Sequence, residues 1–186
     1  MCNNYNYATN EENFTNAELK GRNYFYQSIT KSPHIDSWYF TGDKYEHYDA
    51  CYHTTTNKKY MVEIKYRDNY SSTSPLIQNE GILIEKYKYD NLINAIKTDR
   101  SSYLGSDEKI PLYITYFNDG KGYIYTINED DKIEWYEKKC PQNTVNNGKY
   151  ITKIVGNIPL NKCKEIKYNK EDADNKQNTY NYIITK

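Results

Sequence analysis

Two strand-like runs, Glu46 to Thr54 and Lys59 to Arg67, are separated by just Thr55-Thr56-Asn57-Lys58. Polar turn residues between two such runs predict a β-hairpin. Three charged side chains interrupt it: Asp49 in the first run, Glu63 and Lys65 in the second. Side chains two apart on a strand share a face, so Glu63 and Lys65 point the same way, with Ile64 opposite. Asp49, Cys51 and His53 share a face by the same rule. Paired strands lie about 5 Å apart, so both acids can sit on one surface. Register is not fixed by sequence, and Asp49 need not stand directly opposite Glu63.

The surrounding pattern predicts what this hairpin joins. A helix is expected from Thr9 or Asn10, with Glu11 and Glu12 favouring its first turn. Phe14, Gly21, Phe25 and Ile29 fall on one helical stripe, and Glu18 falls on it too, an acid on an apolar face. Ser32-Pro33 ends that helix. A further strand is expected from Ile35 to Thr41, then a polar loop from Asp68 to Ser74 and a short apolar run from Gly81 to Ile84. A second helix, Tyr87 to Thr98, places Tyr89, Leu92, Ile93 and Ile96 on one side. Pro111 to Phe117 and Tyr123 to Asn128 read as a hairpin around Asn118-Asp119-Gly120-Lys121-Gly122. Short strands follow near Lys132 to Trp135 and Tyr150 to Val155, and an apolar stretch from Tyr180 to Ile184 closes the chain. Helix, three strands, helix, strands is the order of an α/β protein with a mixed central sheet flanked by helices. The domain reading is a flexible N-terminus over 1–10, one domain over 11–169 with a short β-containing C-terminal extension, and a polar tail over 170–186.

Composition narrows the function. The 186 residues suit one domain with a real core. Net charge is zero, from 25 basic and 25 acidic residues, so a polyanion partner has to be met by a local patch or by metal ions. Cys2, Cys51, Cys140 and Cys163 form no C-x-x-C pair and read as free thiols of a reducing compartment. No run of about 18 apolar residues and no signal-like N-terminus is present, so a soluble, cytoplasmic protein is expected. The 23 tyrosines, with abundant Asn, Lys and Ile, fit an AT-rich genome such as that of a phage or a low-GC bacterium.

Two carboxylates held close together repel unless a cation sits between them. Oxygen-only ligation suits Mg²⁺ or Mn²⁺. An ammonium group beside them can hold a phosphate or orient an attacking water. Asp49, Glu63 and Lys65 thus form a candidate site for phosphodiester hydrolysis. The bland alternative is an ion pair on a strand face turned to water.

An aspartate ending one strand and Glu63-Ile64-Lys65 fourteen positions on resemble the motif of the PD-(D/E)XK restriction-endonuclease-like superfamily. The αβββαβ order of the chain is similar to that family's core. Tyr48 stands where the family often has proline. The resemblance covers residues 11–128, and the stretches EGILIEKYKYDNLINAI and CPQNTVNNGKYITKIVGNIPL look like small phage-encoded members. It implies a restriction-endonuclease-like core, Asp49 and Glu63 as Mg²⁺ or Mn²⁺ ligands, Lys65 as the catalytic lysine, and Glu18 as the helix acid that adds a metal contact.

Other residues have weaker readings. Lys86, Lys88, Lys97 and Arg100 could line a phosphate-contacting surface or simply a solvated helix face. Gln78 and Glu80 are further polar candidates or ordinary loop residues. His34, His47 and His53 are too scattered for a strong zinc reading, and Cys51 reads as a small core residue. Trp38 and Trp135 read as packing anchors. The expectation is a metal-dependent nuclease acting on DNA, with a homodimer open. The alternative is a catalytically silent fold serving as a phage virion, packaging or interaction protein.

Overall fold

The computed structural model describes residues 16–41, 47–99, 108–141 and 150–171. Helix α1 (Asn16–Phe25) continues through a π-helical turn, Tyr26–Thr30, into strands β1 (Ile35–Phe40), β2 (Ala50–Thr54) and β3 (Lys58–Arg67). These three form an antiparallel meander, with Asn57 in the left-handed region at the β2–β3 turn. A short helix α2 (Pro75–Glu80), strand β4 (Ile82–Glu85) and helix α3 (Lys86–Thr98) then carry the chain back to β5 (Glu108–Phe117). Such a long crossover permits parallel pairing, and β5 lies parallel to β3 from Lys58 opposite Glu108 to Arg67 opposite Phe117. Strands β6 (Lys121–Thr126), β7 (Tyr136–Pro141), β8 (Tyr150–Ile158) and β9 (Lys164–Lys167) complete the set. The main sheet runs β1-β2-β3-β5-β6-β9, and β4-β8-β7 form a second, smaller sheet. The protein is a mixed α/β fold.

Both faces of the main sheet are covered, and β3 shows how its sequence serves each. Tyr60, Val62, Ile64 and Tyr66 point to one core, which α1 seals with Tyr24 and Phe25. The helix can lie this close because of Gly21, where an added Cβ would come within 3.1 Å of Ile64 Cγ2. Met61 points to the other core, built with Tyr89, Leu92 and Ala95 of α3, Tyr113 and Phe117 of β5, and Ile82 and Ile84 of β4. On that same face, past Met61, β3 presents Glu63, Lys65 and Arg67. The charged half of the strand therefore lies under α3 and β4. Arg67 Nη2 and Tyr113 Oη both donate to the Leu83 carbonyl and tie the small sheet down over this face.

Several boundaries differ from the sequence expectation. Pro75, ideal for a first helical position, opens α2 where a plain loop is expected. The strand expected near Lys132 to Trp135 lies later, at β7, because Ile133 and Trp135 pack against the α3 core instead. Strand β9 is short and polar, and the sequence gives no signal for it. The expected helix start, Phe14, the N-terminal segment 1–10, the Tyr180–Ile184 run and the tail beyond Glu171 lie outside the described residues. Trp38 packs against Tyr26 and Phe40, and Trp135 against Tyr89, as anchors. Cys51, Cys140 and Cys163 are free thiols. Among the described residues no helix is long and apolar enough to cross a membrane.

Candidate functional site

The β2–β3 ladder stops one residue short of Asp49. Ala50 pairs with Val62 and Cys51 with Met61, and Asp49 sits just beyond this paired end, beside Glu63 of β3. Glu63 lies on the β3 face under α3, where Lys88 of that helix meets it, and the Asp49 carboxylate is near enough to Glu63, Lys65 and Lys88 to be perturbed by all three. Asp49 is held at both ends: its N–H donates to the Val62 carbonyl at 2.8 Å, and its carboxylate Oδ2 accepts the Ile64 N–H at 2.8 Å. The side chain thereby takes over a backbone position in the ladder and cannot swing away from Glu63 without breaking it.

Glu63 is fully buried in a central strand. Its Oε1 takes two ammonium groups, Lys65 Nζ at 2.7 Å and Lys88 Nζ at 3.0 Å, in directions short of good hydrogen-bond geometry. Among the described residues its Oε2 is buried without a hydrogen-bond partner, as is Thr115 Oγ1. Thr115 stands beside Lys65 in the β3–β5 register. The site is thus two carboxylates and two lysines, with two polar oxygens of neighbouring strands left unsatisfied. Such orphans are infrequent in native interiors and mark positions for an ion or water.

The charges perturb one another. Burial works against ionising Glu63, but Lys65 and Lys88 more than offset it and hold its pKa below the usual carboxylate range. Asp49 goes the other way: burial first, and then the Glu63 charge, raise it to about 6, against the pull of Lys65 and Lys88 and of the Ile64 N–H. Burial alone would discharge Lys65, yet the Glu63 and Asp49 carboxylates raise it above an ordinary lysine. One acid is locked as an anion and its neighbour is poised near neutrality. Perturbed pairs of this kind concentrate at functional sites.

The donor set fits a hard divalent cation. Mg²⁺ characteristically takes one or two carboxylates and fills its other positions with water and substrate phosphate. Asp49 retains Oδ1 and Glu63 retains Oε2, which supplies that number of anionic oxygens. Among the described residues no cluster of three or more His, Cys, Asp or Glu side chains is arranged to hold a metal, so the two acids would need water or substrate to complete the shell.

The remaining sequence candidates are dispersed. Glu18 does not face the core as its stripe suggests. It is exposed in the first turn of α1, where an acid suits the helix dipole, and α1 covers the sheet face opposite Glu63. Lys86 pairs with Asp90 at 2.7 Å, and Lys97 with Glu129 at 2.8 Å. Arg100 lies outside the described residues. Gln78 Nε2 donates to the Ser72 carbonyl, and Glu80 is exposed. His34 and His47 are exposed, while His53 meets Ser37 Oγ at 3.3 Å. Cys51 is a buried core thiol, its pKa pushed up to about 11 chiefly by burial.

Lys88 and Thr115 are the residues that sequence reading misplaces or misses. A signal for Lys88 does exist. Positions 88, 92 and 95 form an i, i+4, i+7 stripe, and Leu92 and Ala95 on it are fully or almost fully buried. Centring the helix face on Leu92 and Ile93 hides that stripe. Thr115 is the one aliphatic hydroxyl in the mostly apolar segment PLYITYF.

No family model, curated protein or solved structure matches the chain. What fold and site define is therefore a class drawn from the molecule itself: a mixed α/β protein whose central strands carry a buried carboxylate–lysine site.

Proposed function

We propose that this protein is a metal-dependent nuclease that hydrolyses DNA phosphodiester bonds, with a restriction-endonuclease-like core. The observation that carries the reading is the buried Glu63 carboxylate beside Asp49, with one oxygen unpartnered among the described residues and Lys65 at the other. A surface ion pair would leave Glu63 in water, whereas it has no exposed surface at all. Burying the Glu63 carboxylate among three partly buried charged groups for structure alone is poor design, because apolar residues of similar size stabilise an interior as well or better. The order of elements adds support: α1, the β1–β2–β3 meander, a helical crossover and the parallel β5 follow the αβββαβ pattern that the motif implies.

In this reading Asp49 and Glu63 hold Mg²⁺ or Mn²⁺. A bound divalent ion would supply Lewis acidity toward the phosphate and a more acidic water. Lys65, kept cationic by both acids, orients the attacking water or neutralises the charge that develops on phosphate oxygens. The backbone clamp on Asp49 fixes the carboxylate so that little reorganisation is needed. Glu18, exposed and on the far side of the sheet, is not needed for this arrangement. A chain of zero net charge relies on such local cations to meet DNA.

The second reading is a silent fold serving as a virion or other interaction protein. It is favoured by one observation: Glu63 already has two lysines as counter-charges, so the site is close to neutral without an ion. Plasmid and single-stranded DNA incubated with Mg²⁺, Mn²⁺ or EDTA discriminate the two. Metal-dependent cleavage lost in both Glu63→Ala and Lys65→Ala supports the nuclease. Absence of cleavage by folded, metal-supplied protein supports the silent fold.

A further inference from the structure

Two lysines converge on one oxygen of Glu63, and they are not equivalent. Lys65 lies on the same strand, 2.7 Å from Oε1, and the Asp49 carboxylate draws it as well. Lys88 reaches in from the first turn of α3, 3.0 Å from the same oxygen, with its side chain 26% exposed. Glu63 itself is 0% exposed. A cation arriving from solvent therefore has no open path to Glu63, and the groups between it and solvent include these two ammoniums. Like charges so close to an incoming divalent ion oppose its binding strongly. Lys65 is confined by two carboxylates on adjacent strands. Lys88 is on a long, flexible stem near a helix end and can turn outward without disturbing the sheet.

We propose that Lys88 is the exchangeable counter-cation of the site. It neutralises Glu63 before a divalent ion binds and yields its place to that ion. Once displaced, its ammonium stands at the mouth of the site, where it meets a non-bridging oxygen of the substrate phosphate. The lysine thus closes the site in one state and serves as a positioning residue for the phosphate in the other. This inference rests on the metal-site reading above, and it predicts opposite effects on metal affinity and on turnover.

The test is calorimetric titration of Mn²⁺ into wild type, Lys88→Met, Lys88→Arg and Glu63→Gln proteins, each checked for folding by its thermal melt. Lys88→Gln serves as the second neutral variant if Lys88→Met does not fold. Removing the competing charge is expected to tighten Mn²⁺ binding roughly tenfold, while Lys88→Arg stays near wild type and Glu63→Gln binds no ion. At saturating Mn²⁺ the neutral Lys88 variant is expected to cleave DNA more slowly than wild type. Wild type that binds Mn²⁺ through Glu63, with a neutral Lys88 variant that binds it equally or more weakly, overturns the exchange and leaves the nuclease reading intact. Unchanged cleavage by a variant that does bind more tightly overturns the phosphate role. No Mn²⁺ binding by wild type or by any Lys88 variant overturns both this inference and the metal site beneath it.

Discussion

Asp49→Asn should make the metal-free protein more stable, although it removes a residue central to the proposed site. The reason lies in the environment of Asp49. Burial and the fixed Glu63 anion raise its pKa from 3.8 to about 6. The folded state therefore binds a proton more tightly than the unfolded chain does, and stability is lost as pH rises through this range. Below about pH 4 both states hold the proton and nothing is lost. Above about pH 6 the whole cost is present. A shift of this size corresponds to about 3 kcal/mol, which partial exposure of Asp49 screens to about 1–2 kcal/mol. The amide introduced by the substitution carries no charge, and its oxygen can still accept the Ile64 N–H. For a chain of this length the gain amounts to roughly 2–8 °C in Tm. The assay is thermal unfolding of both proteins in EDTA at pH 7.5 and at pH 4. The variant should melt higher at pH 7.5, and the gap should close at pH 4. With Mn²⁺ added at pH 7.5, wild type should rise in Tm by mass action and the variant should not. A variant less stable than wild type at pH 7.5, or a gap independent of pH, would refute the argument that ionised Asp49 is strained by its surroundings.

Two further predictions concern the scaffold that holds the site in place. Gly81 sits at φ +86°, and a Cβ there would lie 2.2 Å from the Ile158 carbonyl oxygen; Gly81→Ala should destabilise by about 3 kcal/mol through strain and the forced parting of β4 from β8, read as a lower denaturant midpoint. Asp119 accepts the Ser71 and Ser72 hydroxyls and the Ser72 N–H; despite some burial, these bonds hold its pKa below the usual range. Its stabilisation is therefore present at neutral pH and lost as pH falls below the ordinary carboxylate value. Asp119→Ala should cost about 1 kcal/mol at pH 7, kept small by exposure, and the difference from wild type should shrink in urea titrations below pH 4.

The hairpin and its charges were legible because period-2 alternation and turn chemistry act locally. The shared face of Glu63 and Lys65 follows from parity alone, and the ion pair between them agrees with it. Two things were beyond a local reading. Register was one: the Ala50–Val62 pairing, which brings Asp49 beside Glu63 at the end of the ladder, depends on which strands meet, not on either strand's sequence. The other was helix rotation. Lys88 belongs to a buried stripe with Leu92 and Ala95, but a lysine on an amphipathic helix is usually solvated, so its pattern alone carried little weight. Glu18 shows the converse error. It shares a stripe with Gly21 and Phe25, yet it lies a turn before the close approach of α1 to β3 and ends up exposed.

The charge balance of the site bears on both functional readings. Asp49, Glu63, Lys65 and Lys88 would sum to zero if all were ionised, and a balanced cluster could persist as structure alone. The perturbations argue that the balance is incomplete. Glu63 has enough cationic company to be held as an anion, whereas burial, and then the Glu63 charge, push Asp49 toward neutrality. More positive charge beside Asp49 and Glu63 Oε2 would offset the part of the Asp49 shift that comes from the Glu63 charge. A divalent cation supplies it, an additional lysine would supply it only in part, and an apolar partner surface would worsen the deficit by removing what solvation Asp49 retains. In the proposed metal site, the repulsion between Glu63 and Asp49 is therefore what an incoming cation would relieve.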